Sequence, residues 1–92
     1  PLFVATNMTV CAPPSLLGAE GRHVALRLEK NGHAVRTIGW GKADPLAQLE
    51  VGSQLDVVFE ANINSFRGRR NVEWILRDAR TIQTSNAIPS SL

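Results

Sequence analysis

The chain has no tyrosine, one cysteine, one methionine and only five aromatic residues, three Phe and two Trp, in 92. With Cys11 alone there is no intrachain disulfide and no CxxC pair to hold zinc, a pattern that fits a reducing compartment. Cys11 is expected to be buried or unreactive beside Pro13 and Pro14. So few aromatics exclude a ligand face built on stacked rings, so any nucleic-acid binding is expected to be charge-led, weak and salt-sensitive. His23 and His33 are the only histidines, and both read as surface residues. No apolar run approaches the roughly 20 residues of a membrane helix, so no membrane partner is expected. The opening Pro1-Leu-Phe-Val-Ala-Thr has no basic segment ahead of an apolar one, unlike a signal peptide. It also lacks an initiator methionine and starts in a strand-like run, so the expectation is a domain from a longer protein.

What is present is an ordinary globular composition, 43% hydrophobic, with room for a single core. Ten Lys and Arg against eight Asp and Glu leave a formal charge of +2. The distribution is more telling than the total. Residues 67–80 hold five arginines and only two acids, Glu73 and Asp78, while the other acids are scattered singly. Arg67, Arg69 and Arg70 crowd around Gly68. Three cations within four residues repel one another unless they are well solvated or an anion meets them.

Period-two apolar spacing surrounds this cluster. Leu55, Val57, Phe59, Ala61 and Ile63 alternate with polar residues before it, and Val72, Trp74 and Leu76 do so after it, so two strands with one buried face are expected. Asn64, Ser65 and Gly68 between them read as turn formers. Upstream, Val4, Thr6, Met8 and Val10 form one face of a first strand that Ala12-Pro-Pro-Ser15 must kink. His23-Val-Ala-Leu-Arg-Leu-Glu-Lys30 is the cleanest strand. Asn31-Gly32 is a strong two-residue hairpin signal, and the return strand over residues 33–40 places Ile38 and Trp40 inward. Asp44-Pro45 reads as a helix N-cap with proline at the first helical position, opening a short helix over residues 45–50 with Leu46 and Leu49 facing the core. Gly52 is placed to stop it. Residues 1–80 form the domain, and the polar residues 81–92 read as a flexible C-terminal tail.

The order β-β-β, short helix, β-β describes an all-β, five-stranded OB-fold barrel with one short helix between strands three and four. That fold takes oligonucleotides across strands two and three and on the loops joining strands one to two and four to five. Here those loops are about residues 18–22 and 64–70, and the arginine cluster falls in the second.

A family likeness emerges from His23-Val-Ala-Leu-Arg-Leu, Ile38-Gly-Trp-Gly41, Leu55-Asp-Val-Val-Phe-Glu60 and Ile63-Asn-Ser-Phe-Arg-Gly-Arg-Arg70 running into Ile75-Leu-Arg-Asp78. These segments, with Pro1-Leu-Phe3 ahead of them, resemble the OB domain of RecJ, the bacterial single-strand-specific 5′→3′ exonuclease of the DHH phosphoesterase group. The element from Asn64 to Gly68 is the most specific part. The resemblance implies an accessory domain that helps hold single-stranded DNA for the parent's catalytic lobes, which use manganese or magnesium. It also implies a role in repair and recombination, a bacterial cytoplasmic setting, and a single-strand-binding protein as a further partner. No Asp-His-His element is present, so no cofactor and no catalytic residue are expected in this stretch.

The candidate nucleic-acid-binding residues are Arg67, Arg69, Arg70, Phe66, Arg27, Arg36 and Arg77. Each arginine can fork onto two phosphate oxygens. Phe66 either stacks on a base or folds back over the barrel end. Arg27 and Arg36 stand on the polar side of strands two and three, where they meet either ligand or acids such as Glu29 and Glu73. Arg77 either contacts ligand or pairs with Glu73 across strands. Trp40 and Trp74 are expected in the core. Asn62 and Asn64 are expected to bond backbone in the turn, and Asp56, Glu60 and Asp78 to serve at the surface. A structural or protein-docking module is the competing class, with the cluster meeting acidic side chains instead of phosphates.

Overall fold

The computed structural model describes residues 1–82. Its elements are β1 (Phe3–Val10), β2 (Ser15–Leu17), β3 (His23–Lys30), β4 (His33–Gly39), α1 (Ala43–Leu46), β5 (Gln54–Phe66) and β6 (Arg69–Ile82). The strands form one sheet in the order β1-β5-β6-β4-β3-β2, and an additional β1–β3 pairing closes it into a ring. β4 and β6 run parallel, and the other pairs are antiparallel. This is the five-stranded OB barrel, with β1 and β2 as the two halves of one first strand broken where Pro13 and Pro14 cannot donate to a ladder.

Both hairpins are closed by two-residue turns with positive φ at each position: Asn31 (54°) and Gly32 (83°), then Arg67 (52°) and Gly68 (77°). Such turns match the right-handed twist of the strands they join. Asn64 and Ser65, expected in the second turn, are strand residues opposite Asn71 and Arg70. Their side chains are therefore not the turn caps the sequence suggested.

The barrel interior is filled by Met8, Val10, Val24, Leu26, Leu28, Leu55, Val57, Phe59 and Leu76, with Ala43 and Leu46 of α1 and the flanking Leu49 closing one end. The helix begins earlier than expected. Lys42 is the N-cap residue, without a side-chain cap bond, and Asp44 lies inside the first turn. Pro45 is tolerated there because first-turn amides have no intrahelical acceptor. Gly52, with φ of 98°, serves the turn before β5, and its N–H bonds the Val10 carbonyl.

The first strand departs from simple alternation. Ala5 pairs with Val57 and Met8 with Leu55, so Thr6 and Asn7 together oppose Asp56 in a β-bulge. The slip turns Phe3 and Ala5 toward the interior side along with Met8 and Val10, and it leaves Val4 69% exposed. The expected face of Val4, Thr6, Met8 and Val10 is thus split in two.

β5 and β6, with 13 and 14 residues, outrun the rest of the barrel. Every residue from 61 to 72 is exposed, so the two strands leave the barrel as an arm. Ile63 and Val72, expected on the buried face, pair with each other on the interior side but are 62% and 51% exposed, because no second layer lies opposite them. At its other end β6 continues past Arg80, with Thr81 and Ile82 paired to Leu55 and Gln54. The remainder of the expected tail, residues 83–92, lies outside the described residues.

Candidate nucleic-acid interface

The strand registers assign each candidate to a face. Arg27 lies opposite Arg36, Arg36 opposite Glu73, and Glu73 opposite Asn62, giving one row across β3, β4, β6 and β5. The row lies on the outer face, because the next residues inward, Leu26, Thr37 and Trp74, form the corresponding inner row. From Glu73 the same face runs out along the arm in steps of two, through Asn71 and Asn64 to Arg69 and Phe66. Barrel and arm therefore present one continuous outer surface carrying Arg27, Arg36, Arg69 and Phe66.

Arg67 sits at the tip of that surface in the left-handed conformation, its guanidinium carbon 5.1 Å from the Phe66 ring centroid. This cation–π contact holds Phe66 at the arm tip rather than over the barrel end, and the ring is 66% exposed. Arg70 is set apart. It pairs with Ser65 on the reverse side of the arm, the side of Ile63 and Val72.

The arginines divide by their partners. Arg36 Nε donates to Glu73 Oε2 at 3.0 Å, and Arg77 Nη2 donates to Glu60 Oε1 at 2.6 Å. Arg77 is the extra residue of a bulge in β6, since Val58 faces Asp78 while Phe59 faces Leu76. The bulge brings Arg77 to Glu60 rather than to the Glu73 partner expected from spacing. The hydrogen bond from Arg77, then its charge, holds the Glu60 carboxyl below the usual glutamate range. Both pairs are solvent-facing and of small energetic weight, so they do not lock either guanidinium away. Arg27, Arg67, Arg69 and Arg70 have no acid partner among the described residues. Beside Arg27 and Arg36 lies a shallow depression of about 190 Å³ lined also by Ala12, Pro13 and Ser15.

Other expectations are corrected. Trp40 is not in the core. It follows β4 at the barrel edge, 56% exposed, with its ring edge-on to His23 at 5.0 Å between centroids. Alternation grouped it with the buried Ile38, yet it lies in the turn beyond the end of β4. Trp74 does face inward, half-buried and stacked on Phe59 at 3.6 Å and 9°. His23 is not merely a surface residue: half-buried, it accepts a 2.7 Å hydrogen bond on Nδ1 from the Gly41 N–H. Cys11 is half-buried, its thiol directed at the Arg27 carbonyl at 3.4 Å. Asn62 and Asn64 belong to the strand ladder. Among the described residues no three His, Cys, Asp or Glu side chains gather as a metal site, and no helix is long and apolar enough to cross a membrane.

The sequence pattern of the RecJ OB domain matches residues 1–78, nearly the whole described structure. The chain belongs to the RecJ OB domain family. The crystal structure of a small single-stranded DNA-binding protein from Streptomyces coelicolor is similar in fold, with a TM-score of 0.59 and 17% identity over 89% of this chain and 94% of that one. No curated protein sequence matches the chain significantly. As a RecJ OB domain it departs from a plain barrel in the long arm, and that arm carries the arginine cluster.

Proposed function

We propose that this RecJ OB domain binds single-stranded DNA as an accessory module of a RecJ-like 5′→3′ single-strand-specific exonuclease in repair and recombination. The observation that carries the reading is the unbroken outer surface from Arg27 and Arg36 to Arg69 and Phe66, on which Arg27 and Arg69 have no acid partner among the described residues and Arg36 pairs with Glu73. Guanidinium groups spaced along a solvent-facing sheet suit the sugar-phosphate backbone. The contacts in this reading are guanidinium groups on phosphates, which carry no sequence information, so binding is without sequence specificity. The related single-stranded DNA-binding protein of the same fold supports the reading. In this proposal the parent's catalytic lobes, with manganese or magnesium, cut the strand in the bacterial cytoplasm, and the domain guides it to them.

The test is a fluorescence-anisotropy titration with a labelled single strand at low and moderate salt, beside the Arg67→Ala/Arg69→Ala/Arg70→Ala variant. Single-strand binding loses about 0.7 log units per decade of salt for each phosphate contact. The folded triple variant should bind far more weakly, with a salt slope shallower by about 1.4 for the contacts of Arg67 and Arg69, since Arg70 faces the reverse side. An unchanged affinity in the variant would remove the arm from the DNA path.

One observation favours a second reading, a protein-docking module. Phe3, Ile63 and Val72 leave an exposed apolar strip on the interior side of the arm. It would pack against the parent's catalytic lobes or against a partner such as a single-strand-binding protein. Loss of assembly, with DNA binding intact, in an Ile63→Ser/Val72→Ser variant would support this reading.

A further inference from the structure

The five aromatics divide into two groups. Phe3, Phe59 and Trp74 form a row toward the interior, Phe59 stacked on Trp74 at 3.6 Å and tilted against Phe3 at 5.7 Å between centroids. Phe3 is still 48% exposed on the interior side, and Trp40 and Phe66, 56% and 66% exposed, lie outside that group at the β4 end and the arm tip of the outer surface. They mark its opposite ends. β4 and β6 are parallel with Arg36 level with Glu73, so Trp40 lies four residues forward of that row and Arg69, beside Phe66, four residues behind it. The separation along the strands is about 26 Å, on the scale of the roughly 4–16 nucleotides one OB-fold takes.

Trp40 is mounted rather than loosely exposed. His23 braces it edge-on, and the Gly41 N–H fixes His23 through Nδ1 at 2.7 Å. Gly39, just before it, packs so tightly that a Cβ there would stand 3.2 Å from both Val24 and Lys42. Gly41, just after it, turns the chain with a φ of 69°. An edge contact braces the indole without covering both of its faces.

We propose that Trp40 is a base-stacking platform at the barrel end of the single-strand path, the counterpart of Phe66 at the arm tip. The inference rests on the single-strand-binding reading above. It assigns a base contact to a domain whose other candidate contacts are to the backbone.

The experiment uses a labelled oligothymidylate of about 20 nucleotides at low salt, read both by its own anisotropy and by intrinsic tryptophan fluorescence. On binding, wild-type fluorescence should be quenched, with Trp74 contributing little because it is already stacked on Phe59. Trp40→Ala should lose the quenching and about five- to hundredfold in affinity, as expected for one stacked base. Trp40→Phe, which keeps a ring, should lose only a few-fold and guards against misfolding in the alanine variant. On an abasic strand of equal length, wild type and Trp40→Ala should bind alike. If the wild type binds without quenching, or if folded Trp40→Ala binds oligothymidylate as tightly as wild type, the stacking proposal falls while the backbone-binding reading stands. If the wild type binds neither strand, that reading falls and takes this one with it.

Discussion

The backbone N–H of Asn7 donates a 3.0 Å hydrogen bond to the Asp56 carboxylate. Asn7 is at the β1 bulge with a φ of 55°, and an unpaired amide there would have no strand partner. Asp56 supplies the acceptor from β5, while its other oxygen takes bonds from Arg80 Nε and Nη2 of β6 at 3.2 and 3.0 Å. One carboxylate thus joins three adjacent strands. The Asn7 amide first, and the Arg80 guanidinium second, hold Asp56 below the usual aspartate range.

A pH dependence follows. Asp56 has a folded pKa below its unfolded value, so its contribution is present above the unfolded pKa of about 4. It is lost as pH falls through the folded value. Asp56→Asn keeps an acceptor for Asn7 but loses the charge facing Arg80, so it should be less stable than wild type at pH 7. The gap should close as the pH falls below about 4. Urea unfolding at pH 7 and in acid checks this. A gap of constant size would mean that the carboxylate charge is not what holds the bulge.

Thr37 is fully buried on the inner row, level with Leu26 and Trp74, and its Oγ1 has no hydrogen-bond partner. A buried, unsatisfied hydroxyl costs about 1–3 kcal/mol. Thr37→Val replaces it with a methyl of nearly the same volume. The variant should gain about 1 kcal/mol, raising the melting temperature by roughly 4–8 °C. A lower melting temperature would show that the hydroxyl is satisfied in solution.

Much of this architecture was legible in the sequence. Alternation in residues 23–30 and 55–59 and the Asn31-Gly32 turn led to the barrel, and the placement of Arg67, Arg69 and Arg70 between the last two strands led to the arm. What alternation cannot convey is whether anything packs opposite a strand. Ile63 and Val72 keep the period of buried residues with no layer to bury them. It also cannot reveal a phase slip. The spacing of Val4, Thr6, Met8 and Val10 looks unbroken, and only the pairing with Val57 and Leu55 exposes the extra residue. The partners of Arg36 and Arg77 depend on a parallel pairing and a bulge, which are tertiary facts. Trp40 was misplaced because the residue after Gly39 leaves the sheet.

Gly39 tests the packing beneath that tryptophan. A Cβ there meets Val24 Cγ1 and the Lys42 side chain at 3.2 Å, and Val24 is fully buried and unable to yield. Gly39→Ala should therefore destabilise the domain by about 1–3 kcal/mol, as overpacking does. Chemical denaturation reports the loss directly. An unchanged midpoint would mean that the Lys42 turn shifts freely.

Arg67 brings stability and binding into opposition. It holds a φ of 52° in the two-residue turn, a conformation that costs a long L side chain about 1 kcal/mol and suits Asn or Gly. An arginine at this position is strained, and its guanidinium rests on the exposed Phe66 ring instead of an acid. Arg67→Asn should relax the turn and raise stability by a few tenths of a kcal/mol up to about 1. The same change removes a phosphate partner at the arm tip, so single-strand affinity should fall and the salt slope should become shallower by about 0.7. Thermal unfolding and anisotropy on one preparation measure both effects. If affinity is unchanged while stability rises, Arg67 contributes no contact to DNA, and Arg69 with Phe66 must carry the tip alone.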